Sequence, residues 1–214
     1  MKKLDTTLYL VTNSDNIKES DFLNIITQAC EGGVTLVQLR EKNLSSLDYY
    51  NLALKVKSIT DKHNIPLIID DRVDIALAVD AAGVHLGQTD LPLTAARSLI
   101  GKNKILGATA KTVAQAKAAQ EAKADYLGVG AIYPTKTKVI TVLTPVETLK
   151  DIAKTVSIPV AAIGGLDASN LEILFNSGAS GICVVRAIME SKTPKETATE
   201  LLRITKNHII GDKP

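Results

Sequence analysis

The sequence is poor in everything that would divide it, anchor it or load it with charge. No Pro/Gly/Ser-rich stretch or charge block interrupts its 214 residues. One domain is therefore expected, and the length suffices for a well-buried core. No run of about 20 apolar residues is present, so no membrane-spanning helix is expected. The start, Met1-Lys2-Lys3-Leu4-Asp5, leads into no apolar stretch of signal-peptide kind. Lys and Arg number 25 against 23 Asp and Glu, a net charge of +2. That balance gives no reason to expect nucleic acid or an acidic membrane as partner, and leaves cationic chemistry to local clusters. There are two cysteines, Cys30 and Cys183. Neither has a Cys or His neighbour at metal-ligand spacing, and both read as small core residues of a cytoplasmic protein.

What is present is a regular alternation. Apolar strand-like runs fall at 7–11, 34–39, 66–69, 83–86, 104–108, 126–129, 158–163 and 181–185. Helix-like segments fall between and after them, at 21–30, 46–63, 73–81, 92–100, 112–122, 145–155, 169–176 and 195–206. Several helix-to-strand joints carry Gly or another small residue, as in Glu31-Gly32-Gly33 and Asn176-Ser177-Gly178, which suits a helix C-cap and a tight turn. Eight β/α units with parallel-type strands predict an α/β fold, a single-domain (β/α)8 TIM barrel over residues 1–214. A doubly wound open sheet is the other candidate. No Gly-x-Gly-x-x-Gly follows the first strand, which counts against it.

Polar clusters follow the apolar runs. They are Gln38-Leu39-Arg40-Glu41-Lys42, Asp70-Asp71-Arg72, Gln88-Thr89-Asp90 and Thr135-Lys136-Thr137-Lys138. In a (β/α)8 barrel these strand ends and βα loops form the active-site face. Period two sends Gln38, Arg40 and Lys42 to one side, where two cations and an amide suit a phosphate or diphosphate. The competing reading is a solvated strand end with Glu41 pairing a cation. Asp71 and Asp90 end neighbouring strands; two carboxylates brought together repel unless a cation such as Mg2+ lies between them. Alternatively, Asp71 pairs Arg72 or caps a helix, and Asp90 caps the helix near Pro92. Gly164-Gly165 and Val185-Arg186 end the last two strands, where such barrels often hold a phosphate on backbone N–H groups. His85 has no base or metal partner near in sequence and reads as a packed or surface residue.

These motifs, with Gly83-Val84-His85-Leu86-Gly87, Gly130-Ala131-Ile132-Tyr133-Pro134 and Ile163-Gly164-Gly165, resemble the thiamine-phosphate synthase family from the first strand to the last. The resemblance implies an Mg2+-dependent transferase. Hydroxymethylpyrimidine diphosphate would lose pyrophosphate in a dissociative step, and the nitrogen of hydroxyethylthiazole phosphate would take its place. It also implies roles. Gln38, Arg40 and Lys42, within the run that includes Leu39 and Glu41, would hold the pyrimidine diphosphate, with Lys138 on its pyrophosphate. Arg40, Lys42 and Lys138 would be catalytic, and Asp71 and Asp90 would bind Mg2+. Thr135, Lys136, Thr137, Gly165, Val185 and Arg186 would serve the phosphate groups. Asp70 stands where the family usually has Asn, Thr109 where Ser is usual, and Arg186 where Ser is common; all three are expected to contact substrate. The alternatives are a thiazole tautomerase-like relative and a non-catalytic sensor of a thiamine intermediate.

Overall fold

A computed structural model describes residues 4–135 and 142–210. The strands are β1 (Leu8–Val11), β2 (Leu36–Leu39), β3 (Leu67–Asp70), β4 (Gly83–Leu86), β5 (Ile105–Ala110), β6 (Tyr126–Gly130), β7 (Val160–Ile163) and β8 (Gly181–Val184). The helices are α1 (Glu19–Glu31), α2 (Ser46–Lys62), α3 (Val73–Ala78), α4 (Leu93–Ile100), α5 (Val113–Glu121), α6 (Val146–Thr155), α7 (Arg186–Met189) and α8 (Pro194–Ile204). The strands pair in sequence order, all parallel, and β8 returns to β1 to close the barrel. The expected (β/α)8 architecture is the one observed, and the open sheet is excluded by that closure.

Alternation within each strand builds two cores. One set of side chains, including Leu8, Leu10, Val37, Leu39, Ile69, Leu127 and Val184, packs outward against the helices. The other set, Tyr9, Val11, Leu36, Ile68, Ile105, Tyr126, Ala161 and Cys183, fills the barrel interior. Both cysteines are free and buried, and burial pushes each thiol pKa upward, so neither is a ready nucleophile. Among the described residues no helix is long and apolar enough to cross a membrane.

The seventh unit departs from expectation. Residues 169–176 do not form an α-helix but one 3-10 turn, Leu171–Leu174. Turn chemistry claims the segment first: the Asp167 backbone N–H donates to Asn170 Oδ1 at 3.0 Å, and the Ser169 hydroxyl to Asp167 Oδ1 at 2.6 Å. Asn176 and Gly178 then take left-handed backbones and end it. The short α7 starts directly after β8. After α8 a π-helical turn, Thr205–Ile210, continues the chain, and His208 stacks on Phe175 with ring centroids 5.1 Å apart.

Closure needs room. A methyl group on Gly181 would overlap the Thr6 carbonyl at the β8–β1 seam. Gly181→Ala should therefore cost about 1–3 kcal/mol, as overpacking does. Gly101 faces open space but combines φ 69° with ψ −173°, a backbone essentially confined to glycine, so Gly101→Ala should cost about 1–3 kcal/mol through strain alone. Urea unfolding of the two variants measures both; a Gly181→Ala variant as stable as the wild type would contradict the seam argument.

Candidate active site

The site forms where β2, β3 and β4 end. Arg40 and Lys42 continue beyond β2, and both reach acids at the end of β3. Arg40 Nε lies 3.8 Å from Asp70 Oδ2 and Lys42 Nζ 2.8 Å from the same oxygen. Lys42 also bonds Asp71. Asp71 can face the site because its backbone turns left-handed, φ 59°, while its N–H holds the His85 carbonyl at 2.9 Å. Asp tolerates that conformation better than most residues. Arg72 is not its partner; it pairs with Asp74 and donates to Ser46.

Asp90 is brought in by its own turn. The Gly87 N–H donates to Asp90 Oδ2 at 2.6 Å, so the carboxylate closes this turn, and α4 receives no side-chain cap at Pro92. Burial first, then contact with Asp71, raises the Asp90 pKa above the ordinary carboxylate value, against the Gly87 hydrogen bond. Asp70 is raised likewise, by burial and by Asp71, with Lys42 and Arg40 opposing. Burial works against the Lys42 ammonium, but Asp70 and Asp71 outweigh it and its pKa rises. Three acids and two cations thus share a small volume. The crowding of Asp71 on Asp90 is the kind that a divalent cation relieves.

Below this cluster, inside the barrel, lies a hydrogen-bonded relay that the sequence reading passed over. Gln38 Nε2 donates to the Tyr9 hydroxyl at 2.5 Å, and the Tyr9 and Tyr126 hydroxyls are 2.6 Å apart. The Tyr126 hydroxyl is 3.0 Å from His85 Nδ1, and His85 Nε2 is 2.9 Å from Thr109 Oγ1. Burial above all raises both phenol pKa values, so both hydroxyls stay protonated. Gly107 makes the space, since a methyl group there would overlap Tyr126 and His85. The signal was present as two tyrosines in otherwise aliphatic strands, with inward glycines at 107 and 128 to receive them. His85 is packed, as one of the two sequence readings had it, and it is joined to a site residue.

Other expected positions fall as follows. The Leu39 side chain points outward into the helix-facing core, because period two turns it away from Gln38 and Arg40. Glu41 turns toward the β1 loop and accepts from Ser14 Oγ at 2.6 Å. Gly165, φ 65°, packs so closely on Tyr133 and Pro134 that a side chain would collide with them, which joins the β6 and β7 loops. Val185 lies between β8 and α7. Arg186 is exposed and its Nε bonds Glu190 Oε1 at 2.8 Å. Thr135 is half-buried beside these loops. Lys136, Thr137 and Lys138 lie outside the described residues.

Barrel and site define the class: a (β/α)8 barrel with a charged, anion-suited mouth at the C-terminal ends of its strands. A family model described as thiamine monophosphate synthase matches residues 8–188. The thiamine-phosphate synthase of Methanobrevibacter smithii is 55% identical over 203 residues, 95% of this chain and 97% of that protein. That of Clostridium tetani is 51% identical, over 94% of this chain and 96% of that protein. A solved structure, thiamine phosphate pyrophosphorylase from Pyrococcus furiosus, superposes with TM-score 0.85 at 35% identity, covering 93% of this chain and 95% of that one. The chain belongs to the thiamine monophosphate synthase family and is an enzyme of the transferase class.

Lys42 offers a test of the charge cluster. Lys42→Met removes the nearer cation from Asp70, whose folded-state pKa already lies above its ordinary value. Ionised Asp70 is then the disfavoured form in the folded protein, so the penalty is largest near neutral pH and shrinks as Asp70 protonates. The lysine side chain is 40% exposed, so screening keeps the loss to about 1–2 kcal/mol. Urea unfolding near neutrality and at about pH 5 should show the deficit narrowing. A deficit that does not change with pH would remove Asp70 from the account.

Proposed function

We propose that this protein is a thiamine-phosphate synthase. It joins hydroxymethylpyrimidine diphosphate to hydroxyethylthiazole phosphate and releases pyrophosphate. The observation that carries the reading is the gathering of Arg40 and Lys42 from β2 with Asp71 and Asp90 at the ends of β3 and β4. The names of relatives at about half identity over nearly the whole chain support it.

In this reading Asp71 and Asp90 hold Mg2+, which when bound supplies positive charge to the diphosphate oxygens. Their mutual contact is the feature that fits a cation. Arg40 and Lys42 bind the same leaving group. Their present partners are the Asp70 and Asp71 carboxylates, and a diphosphate competes for the same N–H groups. As the bond from the pyrimidine methylene to oxygen lengthens, negative charge builds on the pyrophosphate, and fixed cations stabilise that state more than the starting one. Lys138 is assigned to the same pyrophosphate. Thr135, Thr137, Gly165 and the Val185–Arg186 backbone hold the thiazole phosphate, with Lys136 assigned to the same phosphate groups. Arg186 reaches it only by leaving Glu190. No side chain needs to act as a nucleophile. Two unpaired thiols suit the cytoplasm as its place.

Incubating both substrates with Mg2+ should yield thiamine phosphate and pyrophosphate; no product above a no-enzyme control sinks the proposal. Excess EDTA, Asp71→Asn and Asp90→Asn should each abolish turnover. Activity that survives all three points to an isomerase-type relative, and tight binding without turnover to a sensor. Lys138→Ala should lower kcat about 10²–10³-fold, the usual loss for one stabilising donor, with unfolding unchanged.

A further inference from the structure

The relay beneath the site has a direction. Gln38 Nε2 can only donate, so the Tyr9 oxygen accepts from it. The Tyr9 proton, buried, then goes to the Tyr126 oxygen, 2.6 Å away. Tyr126 in turn donates to His85 Nδ1, which must carry no proton. A neutral imidazole then has its proton on Nε2, aimed at Thr109 Oγ1. The Thr109 oxygen accepts, and its own proton is left to point elsewhere. Turning the Gln38 amide over would require each hydroxyl and the imidazole tautomer to turn with it. The two ends of the relay, on β2 and β5, therefore share one hydrogen-bonding state.

We propose that Tyr9, Tyr126 and His85 are positioning residues that make Gln38 and Thr109 read the pyrimidine ring as a matched acceptor and donor. The inference rests on the proposed pyrimidine diphosphate substrate. In the sense derived above, Gln38 Oε1 is presented as an acceptor and the Thr109 hydroxyl as a donor. An aminopyrimidine offers the complement: an amino N–H to give and a ring nitrogen to receive. A 4-oxopyrimidine, which puts a carbonyl in place of the amino group and a ring N–H in place of the ring nitrogen, reverses both. Thr109 keeps a second lone pair for the ring N–H, but Gln38 Oε1 then faces the carbonyl, and presenting Nε2 to it instead requires reversing the whole relay. Thr109 in place of a serine keeps the one hydroxyl this requires. Gly107 and Gly128 supply the space in which the imidazole and the phenols meet.

Two measurements test this. Nitrogen-15 NMR of histidine-labelled protein without substrate, with His63 and His208 replaced by Gln to isolate the signal, should show His85 protonated on Nε2 and bare on Nδ1. Tyr126→Phe removes the donor to Nδ1 and should give a mixture of tautomers. Wild-type protein with its proton on Nδ1, or a tautomer unmoved in Tyr126→Phe, overturns the relay even if no synthase activity exists. The second measurement is kcat/KM for 4-amino against 4-oxo pyrimidine diphosphates. Tyr126→Phe should lower that preference at least tenfold. A merely structural role would depress both substrates together and leave the ratio intact, which would also overturn the proposal. If Tyr126→Phe fails to fold, Tyr9→Phe cuts the relay one bond earlier and should lower the preference in the same way.

Discussion

A closed sheet has an inside, and that constraint governs the molecule. Once β8 pairs with β1, every second residue of each strand must fit a narrow interior. Aliphatic side chains fill its lower part. Higher up the same rows continue as Gln38, Asp70, His85 and Thr109, because period two carries Leu36 to Gln38, Ile68 to Asp70, Gly83 to His85 and Ile105 to Thr109. Polar groups so enclosed have to find one another, since water does not reach them freely. The relay and the charge cluster are two answers to one requirement, the first neutral and the second ionic.

The two answers differ in how readily they can change. The relay is made of neutral donors and acceptors, each holding the next, and its phenols keep their protons because burial disfavours phenolate. The charge cluster is frustrated. Burial first, and the neighbouring Asp71 next, raise the Asp70 and Asp90 pKa values, and Lys42 at both, with Arg40 at Asp70, offsets that only in part. A site with charge to spare is suited to receive ligands that bring the missing charge. A fixed floor beneath it keeps those ligands in register.

The architecture was legible because apolar runs and helix signals alternate with few exceptions, and neither depends on distant contacts. Boundaries moved by one to three residues. The seventh helix was misread because Leu171, Ile173 and Leu174 carry an apolar pattern, while Asp167, Ser169 and Asn170 carry turn chemistry that pattern matching ignores. The charged residues of the site were legible because charge at the end of an apolar strand is anomalous. Tyr9, Tyr126 and His85 were not, since a tyrosine in a strand is unremarked until the register sets it across from a glycine. Arg186 was read as a phosphate ligand, and the geometry has its Nε on Glu190.

The turn that replaces the seventh helix shifts a task to the end of the chain. Where a shell helix would lie, the Thr205–Ile210 segment packs on the 3-10 turn and on β8, with His208 against Phe175. During synthesis the earlier units emerge in order, and each can dock as it leaves the ribosome. The edges of β1 and β7 stay unpaired until β8 arrives, and the wall behind β8 stays open until the residues after α8 follow it. The strands that lead into Gly165 and Val185 are thus the last to be walled in, and this barrel gains its finished mouth only when the residues after α8 are free to fold.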